Sequence, residues 1–187
     1  MHQLQQIYQE KCNLPSDINE HLPTLKRYTE ECDHVTEMGV RWVVSTYAFM
    51  MGKPKTLISY DIEPIENWGT GREFLTNLAK ENGVHFEFHV ADTLKIEIEQ
   101  TDLLFLDTDH TYKQVKGELG LHADKSNKYI IFHDTTSFEL GGFDYDETGI
   151  WKAIEEFLEA NPHWTIHERF TNNNGLTILK RNNNGKD

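Results

Sequence analysis

Between Asp102 and Asp107 the chain passes through Leu103, Leu104, Phe105 and Leu106 with no polar interruption. The run is too short for a buried helix. As a strand it places apolar side chains on both faces, because successive residues point to opposite sides. A strand that is apolar on both faces needs cover on both faces, the situation of a strand inside a parallel sheet flanked by helices. Lys128-Tyr129-Ile130-Ile131-Phe132 has the same character. These two segments constrain the fold more than any other feature of the chain.

The rest of the sequence fits that frame. His34 to Gly39, Thr56 to Tyr60 with Asp61 closing it, and Val84 to Val90 read as further strands. Helical periodicity separates them, over Trp42–Met51, Gly71–Asn82, Thr111–Leu121 and Gly149–Ala160. Trp164–Phe170 and Leu176–Lys180 are two last strands. The five residues Thr171-Asn172-Asn173-Asn174-Gly175 between them are too few for a parallel crossover, so they form an antiparallel hairpin. Ahead of the first strand, Leu4, Ile7 and Tyr8 make an apolar helical stripe. Pro15 ends it, and a second helix carries Ile18, Leu22, Leu25 and Tyr28, with Pro23 expected to split or kink it. The expected architecture is α/β: a Rossmann-like, doubly wound, mostly parallel seven-stranded sheet with a C-terminal antiparallel hairpin and an N-terminal helical segment. One domain spans 1–181, with its helical segment over 1–32, its core over 33–181, and a disordered tail over 182–187.

Charge and composition exclude several classes. Thirty-one acids against eighteen bases give a formal net charge of −13, with no Lys/Arg cluster, which argues against a nucleic-acid partner. No apolar run is long enough to span a bilayer, and the first residues lack the blocks of a signal peptide, so the expected location is the cytoplasm. Cys12 and Cys32 have no metal-ligand spacing and read as reduced structural thiols. An oligomer is compatible with all of these features.

In an open doubly wound sheet, ligands bind beyond the carboxyl ends of the strands. Acids stand at all five parallel strand ends of this chain: Glu37 ahead of Gly39, then Asp61, Asp92, the group Asp107-Thr108-Asp109-His110, and the group His133-Asp134-Thr135-Thr136. A lone Asp or Thr in such a place often caps the next helix, and Asp92 or Thr93 alone is ambiguous. Capping is a poor explanation for Asp107, Asp109, His110, His133 and Asp134 together, because gathered carboxylates repel unless a cation or proton offsets them.

The segment Asp102-Leu-Leu-Phe-Leu-Asp107-Thr-Asp-His110-Thr-Tyr112-Lys-Gln-Val115 resembles the D-L-L-F-I-D-G-D-H-T-Y-x-x-V signature of one group of class I S-adenosylmethionine-dependent methyltransferases. Phe132-His133-Asp134-Thr135, the helix from Gly149 through Trp151 to Phe157, and the Thr171–Gly175 hairpin are similar to the same group, and the likeness runs from about Glu37 to Arg181. The group includes O-methyltransferases of sugars, polysaccharides and natural products.

For the donor, S-adenosyl-L-methionine, the resemblance implies Glu37, Gly39, Asp61, Asp92 and Asp107 as binding residues. In it, Asp61 accepts the ribose hydroxyls, Asp92 lies near the adenine amino group, and Glu37 helps hold the glycine loop and the methionine ammonium. It further implies a divalent cation, Mg²⁺ or a softer ion, on Asp107, His133 and Asp134. His110 would be the base for a hydroxyl of a small-molecule or carbohydrate acceptor. The chain departs from the group in that loop: Trp42 and Val43 stand where relatives carrying E-x-G-x-x-G-G-x-S-T have glycines. A β-branched residue resists positive φ, so the expected loop differs in shape or binds the donor less tightly. A methyltransferase-fold binding protein with weak or no catalysis is therefore the alternative reading. Trp42 is expected to pack on the N-terminal helical segment. Ser137 to Thr148, with Phe138, Gly141, Gly142, Phe143 and Tyr145, reads as a lid, and Tyr112 as a further pocket residue.

Overall fold

The apolar segment becomes strand β4 (Thr101–Leu106), with Leu103, Leu104 and Phe105 fully buried. It lies at the centre of the sheet in a computed structural model that describes residues 3–140 and 148–182. The other strands are β1 (His34–Met38), β2 (Thr56–Asp61), β3 (His85–Val90), β5 (Ser126–His133), β6 (Trp164–Phe170) and β7 (Leu176–Arg181). Their order is β3-β2-β1-β4-β5-β7-β6. The first five run parallel, and β7 is antiparallel to both β5 and β6. The seven-stranded, mostly parallel sheet with its terminal antiparallel hairpin is the expected one.

The two-faced strands do what their composition requires. Leu103 and Phe105 of β4, with Tyr129 and Ile131 of β5, join one apolar cluster. Helices α1 (Gln3–Asn13), α2 (Leu22–Thr29), α3 (Val44–Gly52) and α4 (Arg72–Glu81) pack into it. Leu104 and Leu106, with Ile130 and Phe132, join the other, under α5 (Tyr112–His122) and α6 (Gly149–Ala160). Fully burying one such side chain contributes about 1.5–3 kcal/mol, which fixes strand register: a slip of one residue would exchange the two faces.

Two expectations change in detail. Pro23 does not kink a helix. A 3-10 turn, Asn19–His21, precedes α2, and Pro23 sits in the first turn of α2, where its missing N–H costs no hydrogen bond. The helix expected from Trp42 instead begins at Val44, after a tight turn Arg41–Val43 in which Trp42 (φ 63) and Val43 (φ 60) are both left-handed.

Strand order reverses between β1 and β4, so the topological switch point lies between their carboxyl ends. There the chains close tightly. The Asp107 amide donates to the Met38 carbonyl at 2.8 Å, and Gly39, at φ +87, leaves no room for a side chain: a Cβ there would lie 1.9 Å from the Asp107 carbonyl oxygen. The glycine is thus required both by its backbone conformation and by the neighbouring strand. No helix among the described residues is long and apolar enough to cross a membrane.

Candidate functional site

A cavity of about 520 Å³ opens at this switch point, within the range of small-molecule sites. Gly39, Asp61, Asp92 and Asp107 all line it, as do His110 and Asp134. Glu37 and His133, expected beside them, do not.

Asp61 closes β2 and is buried. Its Oδ2 accepts from the Val40 amide at 2.8 Å and its Oδ1 from the Glu63 amide at 2.9 Å. Each oxygen keeps a further lone pair. Asp92 both faces the cavity and caps a turn: it accepts from the Leu94 amide at 3.0 Å and pairs with Lys95 at 2.7 Å. The capping role and a place on the cavity wall coexist there. Ile62, Trp68 and Leu94 add apolar walls, Asp17 and Ile18 come from the loop before α2, and Arg41 from the loop after β1. The sequence offered one signal for two of these: Ile62 and Leu94 follow directly on Asp61 and on Asp92-Thr93, and both are large apolar residues left exposed.

Glu37 lies beneath the loop instead of in the cavity. Its carboxylate is fully buried and accepts from Ser45 at 2.6 Å, Thr46 at 2.9 Å and Ser59 at 2.6 Å, tying β1 to the start of α3 and to β2. Burial pushes its pKa up to about 7, against the pull of the three hydroxyls. The loop-holding half of its expected role fits this geometry; a direct contact with a ligand's ammonium does not.

At the other end of the cavity, the ends of β4 and β5 bring two carboxylates and two imidazoles together. His110 Nε2 pairs with Asp134 Oδ2 at 2.6 Å and faces Asp107 Oδ1 at 3.4 Å. Its ring stacks on Phe138, centroids 4.5 Å apart and planes within 8°. Burial disfavours the imidazolium, but hydrogen bonds to Asp107 and Asp134 outweigh it and raise its pKa to about 9. Asp134, in the left-handed region at φ 60, is held far below the usual carboxylate range despite its burial, by His110 and His133. Asp107 is lowered in the same way, mainly by the His133 charge.

His133 is engaged at both ring nitrogens. Nδ1 faces Asp107 Oδ1 at 3.2 Å, and Nε2 faces the carbonyls of Asp17 at 3.0 Å and Asn173 at 3.3 Å. All of these partners are acceptors, an arrangement that suits an imidazolium, and, against the penalty of burial, the Asp107 charge raises the His133 pKa well above its ordinary value. Asp107, His110 and Asp134 bring ligand atoms within 4.8 Å of one another and could hold a cation; His133 Nδ1, 3.2 Å from Asp107 Oδ1 and 3.4 Å from Asp134 Oδ2, stands beside that group with its ring turned to donate. Asp134 Oδ1 fits a cation or a donor hydroxyl: it is buried and has no hydrogen-bond partner among the described residues, a costly condition unless a ligand satisfies it.

Other expectations resolve plainly. Trp42 is half exposed and lies under the Arg41 guanidinium at 4.5 Å instead of packing on the helical segment. Tyr112 turns from the cavity to Glu156, its hydroxyl donating at 2.7 Å. His21 and His122 are buried and bonded to the carbonyls of Asn172 and Thr93. Ser137 to Leu140 and Thr148 are the described part of the expected lid; Gly141, Gly142, Phe143 and Tyr145 lie outside the described residues.

No protein-family profile matches the chain, and no curated protein does. Solved structures do match. A proposed O-methyltransferase from Klebsiella pneumoniae has a TM-score of 0.64 at 19% identity, over 96% of this chain and 89% of that one. The O-methyltransferase from Bacillus cereus, in complex with SAH, has a TM-score of 0.62 at 16% identity over 95% and 90%. TomG from Streptomyces achromogenes, an O-methyltransferase involved in tomaymycin synthesis, in complex with SAM, has 0.58 at 16% over 86% and 80%. At these identities the likeness establishes a shared fold.

Proposed function

We propose that this chain is an S-adenosylmethionine-dependent O-methyltransferase that modifies a hydroxyl of a sugar, polysaccharide or small natural product with the help of a divalent cation. The observation that carries the reading is one cavity lined jointly by Gly39, Asp61, Asp92 and Asp107 and, at its far end, by His110 and Asp134. The SAH and SAM complexes of structural neighbours support the choice of donor.

Bound S-adenosylmethionine supplies an electrophilic sulfonium methyl. Asp61 accepts the ribose hydroxyls with the lone pairs its two amide donors leave free. Asp92 lies on the adenine side, where Ile62, Trp68 and Leu94 offer apolar surface to a flat base. A divalent cation, when bound, would supply Lewis acidity that lowers the pKa of the acceptor hydroxyl. Asp107 and Asp134 would hold it, since two carboxylates with open positions suit Mg²⁺, and the unpartnered Asp134 Oδ1 fits that use.

His110 takes the proton of the acceptor hydroxyl. In the ligand-free chain it already carries one, shared with Asp134 and Asp107. A cation held by Asp107 and Asp134 would draw on the carboxylates that now share that proton, and the imidazole would be free to act as a base. The remaining contribution is orientation of hydroxyl and methyl in line.

The test has two stages. Mass spectrometry of the purified chain and calorimetry with S-adenosylhomocysteine establish donor binding. A screen of hydroxyl acceptors then compares wild type with His110→Ala at saturating donor, where turnover should fall roughly 10²–10⁴-fold with donor and metal affinity retained. Loss of metal binding in His110→Ala would instead make His110 a ligand. The strained Trp42–Val43 turn beside the cavity favours one second reading, a binding protein without efficient turnover. Donor binding with no transfer to any hydroxyl acceptor would select it.

A further inference from the structure

The cavity is acidic along its length, yet Arg41 lines it too, the one Lys or Arg to do so among the described residues. Arg41 stands two positions after Gly39. Val40, between them, is tied by its amide to Asp61 Oδ2 at 2.8 Å, so Arg41 is adjacent in sequence to the contact that holds the proposed ribose acceptor. The turn that presents it has an unusual backbone: Trp42 and Val43 are both left-handed, and Val43 is fully buried. Non-glycine residues adopt that conformation only where the surroundings enforce it.

The guanidinium pairs with Asp17 at 3.2 Å, with side chains 54% and 32% exposed. Exposed pairs of this kind are weak and exchange partners readily. Asp17 is the fixed member. Its carbonyl is gripped by His133 Nε2 at 3.0 Å, and the neighbouring Ser16 carbonyl by Asn173 Nδ2 at 2.7 Å. Arg41 is therefore a cation at the cavity whose resting partners, the Asp17 carboxylate and the half-exposed Trp42 ring at 4.5 Å, offer little competition.

We propose that Arg41 binds the α-carboxylate of the donor's methionine moiety, leaving Asp17 for it when the donor enters. The assignment rests on the donor reading above and adds the group that reads the amino-acid end. Among so many carboxylates, an incoming carboxylate is repelled unless a cation meets it. A guanidinium meets it with two parallel hydrogen bonds, which an ammonium does not reproduce.

The experiment is calorimetry of wild type, Arg41→Ala, Arg41→Lys and Asp17→Ala with two probes: S-adenosylhomocysteine and its decarboxylated analogue, which differs only at that group. Wild type should prefer the carboxylate-bearing probe by about 10- to 100-fold. Arg41→Ala should reduce the preference to about twofold by weakening that probe alone, with Arg41→Lys between the two. Asp17→Ala should tighten S-adenosylhomocysteine a few-fold. Arg41→Ala with the wild-type preference, or wild type with none, overturns the assignment while the donor site stands. Wild type binding neither probe overturns the donor site, and the assignment with it.

Discussion

His110 and Asp134 meet across the ends of two adjacent strands, Nε2 to Oδ2 at 2.6 Å, with an Asp107 oxygen 3.4 Å from the same nitrogen. The arrangement stores a proton at the place where a methyl acceptor would have to lose one. In the metal-free chain, His110 is expected to titrate near 9 instead of 6.5. Its folded pKa lies above the unfolded one, so its pairing stabilises the fold fully below about pH 6.5 and is lost as pH rises through about 9. An NMR titration of the imidazole signals in EDTA measures this. A His110 titrating at its ordinary value would mean that the pair with Asp134 does not form in solution.

His133→Ala separates two roles. As a ligand, His133 would be indispensable to metal binding. As an imidazolium between Asp107 and the Asp17 carbonyl, it steadies the site without touching the ion. Its loss leaves buried Asp134 with less compensation and two carbonyls without a donor, so unfolding in urea should show a loss of about 3–5 kcal/mol. Metal affinity in the folded variant should fall by about 10- to 100-fold and no further. Abolished binding in a folded His133→Ala chain would make His133 a ligand.

Glu37 makes a separate prediction about pH. Its folded pKa, about 7, lies above the ordinary 4.5, so the folded chain holds a proton that the unfolded chain has released. Its contribution therefore destabilises the fold progressively as pH rises from about 4.5 through about 7. Glu37→Gln removes that dependence. The stability difference should shift in favour of the variant by on the order of 3 kcal/mol between about pH 4.5 and pH 8. Guanidinium unfolding of both chains across that range measures it, and a difference independent of pH would refute the raised pKa.

The parts of this molecule that were legible in its sequence are those set by local pattern. Leu103 to Leu106 and Tyr129 to Phe132 declare two-sided strands because side-chain alternation needs no partner to be read. Once the strand ends are known, Gly39, Asp61, Asp92 and Asp107 follow as neighbours, and they do line one cavity. What stayed hidden depends on distant segments. The ring of His133 is occupied by a carbonyl 116 residues away. Glu37 is drawn under its loop partly by Ser59, 22 residues on. Arg41 gains its meaning only from the acids that the fold gathers around it.

Trp42 is where a local rule and the fold disagree most openly. A β-branched or bulky residue resists positive φ, yet Trp42 sits at φ 63 and is followed by Val43 at φ 60. The left-handed region costs an ordinary residue roughly 1–2 kcal/mol. Val43 is fully buried, so packing can offset its strain, but Trp42 is 51% exposed and its ring is covered by the Arg41 guanidinium. Replacing Trp42 with Gly removes the strain, forfeits a cation–π contact of about 0.5–1 kcal/mol, and adds the backbone entropy of a glycine in the unfolded chain, a similar amount. These terms nearly cancel. Trp42→Gly should leave the unfolding free energy within about 1 kcal/mol of wild type, whereas truncating a core aromatic costs about 3–5 kcal/mol. Urea denaturation with matched slopes gives the answer directly. A loss in the core range would show that Trp42 packs in solution and that its left-handed backbone is maintained by that packing.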